Sequence, residues 1–154
     1  MAHVELSVSD PYAAYERLAL ALAEPDYNLG RWASVVLGAA EPCLVINSAA
    51  LIVAASEPCC DMFGLGSSDA AANRHLLDGT MRFVDFTAAR SELAEGEVNK
   101  IAPLLALASG RLARGLIRVR CGFDEQRVCT ADAIATPLWQ GSTVVGSLTF
   151  FSPI

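Results

Sequence analysis

Two neighbouring stretches read Cys43-Leu-Val-Ile-Asn47 and Ile52-Val-Ala-Ala-Ser-Glu-Pro-Cys-Cys-Asp-Met-Phe-Gly64. Their short apolar, partly β-branched runs are typical of two strands joined by a turn at residues 47–50. Ser56 can accept a hydrogen bond from an unpaired N–H at a helix start, and Pro58 suits the first turn because it has no N–H to donate. Gly64 supplies the helix stop. The sequence therefore predicts a strand, a turn, a second strand and a short capped helix.

This pattern resembles the opening of a PAS domain, in which a strand that begins at Ile leads into a capped helix closed by glycine. The interval from Ser56 to Gly64 reproduces the family's spacing, whereas Asn47 and Ala50 depart from its usual Asp and Gly in the turn. The resemblance covers about residues 40–152. It implies an α+β fold, a five-stranded antiparallel sheet with flanking helices, and a sensory or regulatory role in signal transduction. The related GAF-type fold is the alternative.

The remainder of the chain fits the same layout. Short helical pieces are predicted at residues 73–77 and 82–89, a longer helix at 97–112, and strands at 115–121, 126–138 and 143–151. In PAS domains the helix corresponding to 97–112 lines the ligand cavity, so the resemblance implies an apolar cavity between this helix and the inner sheet face. The cavity candidates are Ile52, Ile101, Leu104, Leu105, Ala108, Ile117 and Val119.

Residues 1–40 precede the PAS-like domain, which spans residues 41–154. Their sequence predicts a helical extension. Two amphipathic helices are indicated, at residues 10–24 and 28–40. Their apolar stripes carry more large side chains than one sheet edge is expected to cover, which favours a homodimer. The interface candidates are Tyr15, Leu18, Leu22, Leu29, Trp32 and Val36. A helix folded back on its own sheet is the alternative.

Composition limits the classes of function. The chain has 154 residues, 53% of them hydrophobic, and a formal net charge of −6. This charge argues against nucleic-acid binding, which depends on neutralising phosphates. The longest apolar stretch is too short to cross a membrane, and the N-terminal sequence lacks the pattern of a secretory signal, so we expect a cytoplasmic protein. The basic residues Arg118, Arg120 and Arg127 form either a solvated sheet face or a docking patch for a partner protein.

No cofactor or catalytic group is expected. Met81 stands where light-sensing PAS domains carry the Cys that bonds flavin, and the only histidines, His3 and His75, lie outside the helix that would present a haem ligand. The adjacent Cys59 and Cys60 lack the spacing of a metal site, although a redox-sensitive thiol there stays open. We therefore expect a non-catalytic regulatory domain that binds a small apolar ligand or a signalling partner. A ligand-free adaptor with a filled core is the alternative.

Overall fold

The computed structural model describes residues 27–122 and 124–154. Its elements follow in the order α1 (Tyr27–Leu37), β1 (Cys43–Asn47), β2 (Ile52–Ala55), α2 (Glu57–Phe63), α3 (Ser68–Ala71), β3 (Arg82–Val84), α4 (Glu95–Val98), α5 (Ala102–Ser109), β4 (Ala113–Cys121), β5 (Asp124–Gln140) and β6 (Thr143–Pro153). An irregular helical turn, Leu76–Thr80, connects α3 to β3.

The strands form one antiparallel sheet in the order β2-β1-β6-β5-β4-β3. This confirms the α+β class and the PAS-like layout predicted from the sequence. The sheet has six strands instead of the predicted five, because Arg82–Val84 pairs with β4 where a helical piece was expected. Phe83 and Val84 favour the extended state, and the open edge of β4 supplies their hydrogen-bond partners.

The capped helix is confirmed in detail. Ser56 is fully buried, and its hydroxyl oxygen accepts from the backbone N–H of Cys59 at 3.3 Å and of Cys43 at 2.9 Å. The same hydroxyl donates to the carbonyl of Glu41 at 2.7 Å. Gly64 closes α2 with a φ of 68°, a conformation in which other residues are strained. A single side chain thus ties the start of α2 to the start of β1.

The prediction of a single helix at residues 97–112 is wrong. The chain instead forms α4 and α5, separated at residues 99–101. Pro103 lies in the first turn of α5, where its missing N–H costs no hydrogen bond, so it begins this helix and does not kink a longer one. The break changes which side chains face the sheet.

Different helices pack on the two faces of the sheet. On the inner face one buried cluster joins the sheet to α2, α3 and α5, and its aromatic pair, Phe63 and Phe151, meets edge to face at 4.9 Å. On the outer face α1 packs over β1 and β2. The part of the chain that the structure describes contains no helix long and apolar enough to span a membrane.

The packing of α1 corrects part of the predicted dimer interface. Val36 is fully buried and Leu29 is 8% exposed, both against their own sheet, so these two side chains are not available to a second copy. Trp32 is half-buried at the edge of the same cluster. Tyr15, Leu18 and Leu22 lie outside the described residues. The homodimer itself stays a prediction.

Candidate functional site: a groove beside strand β3

A groove of about 380 Å³ opens between the irregular turn, β3 and α4. Five apolar side chains, three charged side chains and one glycine line it. The lining residues are Leu77, Gly79, Met81, Arg82, Phe83, Glu92, Leu93, Glu95 and Val98. Its volume lies within the range typical of small-molecule sites, roughly 300–1,000 Å³.

Backbone pairing builds the floor of the groove. Phe83 faces the buried Val119 of β4 in the strand register. The chain then turns back along β3, and the N–H of Leu93 donates to the carbonyl of Phe83 at 3.1 Å. A second bond joins the N–H of Asp85 to the carbonyl of Ser91 at 2.8 Å. These bonds place the segment 92–98 against β3 and so create the concave surface.

The turn on the opposite side has its own supports. The His75 Nδ1 accepts the N–H of Leu77 at 3.1 Å, which caps the turn. Gly79 adopts a φ of 74° and allows the chain to reverse toward Met81.

An ion pair crosses the rim of the groove. The Nη2 and Nε of Arg82 donate to Oε1 of Glu92 at 2.9 and 3.2 Å. Both side chains are well exposed, so the pair adds little to stability, and its effect is to orient the two groups. Glu95 adds a second carboxylate, so the polar rim carries a small negative excess.

A pair of arginines on the outer face of β4 holds the loop that leads into the groove. Arg118 donates from Nη1 to the carbonyl oxygens of Asp85 and Thr87 at 3.2 and 3.5 Å, and its guanidinium lies 5.6 Å from the ring centre of Phe86. Arg120 donates to the carbonyl of Arg90 at 2.9 Å. The arginine fork suits this task because it presents several donors in one plane.

These contacts correct the predicted docking patch. Arg118 and Arg120 are half-buried and hold their own chain, so they do not form an open basic surface for a partner. Arg127 is exposed on β5. The Thr87 hydroxyl donates to Asp85 at 2.6 Å, and this bond, with a smaller contribution from Arg118, lowers the pKa of the Asp85 carboxyl.

The predicted cavity residues are divided between the core and the surface. Ile52, Ile101, Ile117 and Val119 are buried in the inner cluster, and Leu104 is half-buried against it. Leu105 is 40% exposed and Ala108 is also exposed, so their placement in a cavity is wrong. None of the seven lines the groove.

The break before α5 explains this difference. It shifts the buried face of the helix to Ala102, Pro103 and Ala106. Small side chains also face inward from β5, at Ala131, Ala133 and Ala135, all fully buried in the same cluster. The buried Ser147 hydroxyl donates to the carbonyl of Pro103 at 2.9 Å and ties α5 to β6. The contact between α5 and the sheet is therefore formed by short side chains and this hydrogen bond, at the place where the sequence predicts a cavity.

The sequence also suggested a reactive thiol near the start of α2. Cys59 and Cys60 are both buried. Burial raises the pKa of each thiol, and the neighbouring acids Asp61 and Glu57 raise that of Cys60 further. These thiols stay protonated at neutral pH and are poor nucleophiles. Among the described residues no group of three or more His, Cys, Asp or Glu side chains could hold a metal ion.

Comparison with known proteins supports the fold. The sequence matches no protein-family model and no curated protein sequence. Solved structures do match, and the first is the PAS domain of a protein from Colwellia psychrerythraea, with a TM-score of 0.58 and 14% identity over 82% of this chain and 96% of that one. The PAS domain of BvgS from Bordetella pertussis matches with a TM-score of 0.51 and 11% identity, over 80% and 82% of the two chains.

A third match is the VqmA dimer of Vibrio cholerae, which is described as a DNA-binding receptor of the LuxR type. It has a TM-score of 0.54 and 15% identity, and the match covers 74% of this chain and 46% of VqmA. VqmA also matches as a complex bound to DPO. At these identities the comparisons establish the fold alone, and the fold of this chain is that of a PAS domain.

Proposed function

We propose that this chain is a sensory or regulatory domain of signal transduction that binds a small, largely apolar molecule in the groove beside β3. The observation that carries the proposal is the groove itself, a concave surface that combines five apolar side chains with one oriented ion pair at its rim. The DPO complex of VqmA, a protein that shares this fold, supports a ligand-binding role.

The lining defines the class of ligand. Leu77, Met81, Phe83, Leu93 and Val98 offer an apolar body its contacts. The exposed carboxylates at the rim favour a ligand whose polar end donates hydrogen bonds or carries a positive charge. The lining contains no hydroxyl, thiol or imidazole side chain, which favours binding over catalysis.

A ligand bound in the groove can affect the outer face of the sheet through a few contacts. A ligand that displaces Leu93 strains its bond to Phe83 and the loop between them. Arg118 holds that loop from the opposite face of β4. Occupancy of the groove would therefore change the environment of Arg118, on a surface that a signalling partner can contact.

The test compares two tryptophan substitutions in the full chain. Val98→Trp fills the groove, whereas Leu105→Trp places the same ring at an exposed position on α5. The neutral fluorescent probe N-phenyl-1-naphthylamine is titrated into each, and native mass spectrometry of the purified parent identifies any co-purifying molecule. We expect Val98→Trp to weaken probe binding by about ten-fold, or ~1.4 kcal/mol, and Leu105→Trp to leave it unchanged.

Circular dichroism serves as the control that both variants retain the fold. Equal probe binding by the parent and Val98→Trp would place the apolar site elsewhere. A parent that binds neither probe nor co-purifying molecule would support the second candidate, a protein-interaction adaptor.

A further inference from the structure

A strip of exposed apolar surface continues from the cluster beneath α1 across the outer face of the sheet. Phe150 packs with that cluster, and Ile134 faces Phe150 in the register of β5 and β6. Ile134 is 36% exposed, and Leu116 of β4, its diagonal neighbour on the same face, is 54% exposed. The outer cluster therefore continues onto β5 and β4, where part of it is open to solvent.

The point at which the chain enters α1 limits what can cover this strip. The Asn28 side-chain amide donates to the carbonyl of Trp139, and Leu29 is buried beside Gly146. Both contacts lie at the hairpin between β5 and β6. The chain therefore enters α1 at that end of the outer face, beside the strip.

Distances across and along the sheet match a second helix beside α1. Neighbouring packed helices lie about 8–10 Å apart, and two strand spacings amount to ~9.6 Å. Since α1 lies over β1 and β2, the axis of a helix beside it would lie over β6 and β5, from where its side chains could extend toward β4. Along the sheet, Ile134 lies four residues, or ~13 Å, from Leu138 near the hairpin. In a helix, Tyr15 would lie nine residues, or ~13.5 Å, before Glu24, so the two lengths are equal to within an ångström.

The charges are complementary as well. Residues 1–26 carry five carboxylates and one arginine. On the strip, Arg114 and Arg118 flank Leu116 along the outer face of β4. Arg114 pairs with Asp132 at 2.6 Å, while Arg118 donates to two carbonyl oxygens and also lies near the carboxylate of Asp85. An acidic amphipathic segment fits this surface better than a basic or neutral one.

We propose that residues 10–24, which lie outside the described residues and whose sequence predicts an amphipathic helix, dock antiparallel to α1 on the outer face of β6 and β5. The helix would place Tyr15 and Leu18 over Ile134 and Leu116. The occupant of the strip is thus a segment of the same chain.

Hydrogen exchange followed by mass spectrometry tests the docking on the full chain. The variant Leu116→Glu/Ile134→Glu removes the apolar strip at two solvent-exposed positions, and Leu105→Glu adds a carboxylate at an exposed leucine on α5 as the matched control. We expect amides of residues 12–22 to exchange at least about ten-fold more slowly than in an unstructured peptide, and to lose this protection in the double variant but not in the control. The inner core reports the fold, since its β1 and β6 amides should stay protected in all three proteins.

Three results would overturn the proposal. Unprotected amides at residues 12–22 in the parent would show that the segment does not dock. Protection that survives the double variant would show that it docks on another surface. Protection that disappears on dilution, together with a dimeric mass by light scattering at high concentration, would show that a second copy supplies the segment.

Discussion

Replacing Gly146 with alanine should test how closely β1, β6 and α1 pack. Gly146 is buried opposite Asn47 in the β1–β6 ladder. A Cβ at this position would lie well inside van der Waals contact of the Ile46 carbonyl oxygen and 2.6 Å from Cδ2 of Leu29. The Leu29 side chain can rotate away, but the carbonyl belongs to the sheet backbone, so relief requires the two strands to move apart.

The size of the effect follows from these two contacts. Overpacking a dense core costs about 1–3 kcal/mol, and the contact with backbone places Gly146→Ala near the upper end. Alanine lowers the entropy of the unfolded chain, which returns about 0.5–1 kcal/mol. We expect a net loss of about 2 kcal/mol in the free energy of unfolding, or a decrease in Tm of about 4–8 °C for a domain of this size.

The assay is urea denaturation followed by circular dichroism, with thermal melting as a second probe. Gly115→Ala is the matched control, because Gly115 also lies in a strand and its Cβ would meet no atom within 4 Å. This control should be neutral or more stable than the parent. If Gly146→Ala were as stable as Gly115→Ala, the close packing of β1 against β6 would be refuted.

Three further predictions concern the cap, the thiols and the arginine clamp. Ser56→Ala removes a fully buried hydroxyl with three partners and should lower the free energy of unfolding by about 2–4 kcal/mol, whereas the exposed cap Ser67→Ala should cost about 1 kcal/mol or less in the same urea titration. Burial raises the pKa of the Cys43 thiol to about 11, so the folded state keeps a proton that the unfolded chain releases near pH 9. The contribution of Cys43 to the free energy of unfolding should be fully present below pH 9 and be lost as the pH rises toward 11. Cys43→Ala should therefore make the free energy of unfolding depend less on pH in this range. Arg118→Lys should increase hydrogen exchange at residues 85–92 by about ten-fold while Arg114→Lys leaves it unchanged; equal exchange in the two variants would contradict the clamp.

The elements that the sequence predicts correctly are those whose signals are local. Ser56 and Gly64 mark both ends of α2 by their own hydrogen-bonding and backbone preferences. Alternating burial identifies β4 because one face of the strand is packed and the other is not. These signals do not depend on what the rest of the chain does.

The errors arise where a distant partner decides the local structure. Arg82–Val84 becomes a strand because β4 offers it an edge, and β4 begins about thirty residues later in the chain. The apolar side chains of α1 could pack against a second copy or against their own sheet. Gly146 has no side chain, and Leu29 packs into the space that this leaves on the sheet. Neither outcome can be read from the segment alone.

The groove illustrates the same limit for the candidate site. Its lining comes from the turn, β3 and the segment 92–98, which come together only after the loop between them turns back on β3. Pro103 carried the relevant signal, since a proline that begins a helix implies a break before it. That break leaves Val98 at the groove and moves Leu105 to the surface.

Strand β4 connects the groove to the outer face of the sheet. Its residues alternate, so Ile117 and Val119 face the inner core while Leu116 and Arg118 face outward. The proposed ligand acts on the inward side through Phe83 and Leu93, and the proposed helix docks on the outward side against Leu116. Arg118 contacts the loop between these two surfaces. A change in that loop can therefore alter both sites with no large rearrangement of the sheet, and Arg118→Lys should weaken probe binding in the groove and the protection of residues 12–22 together.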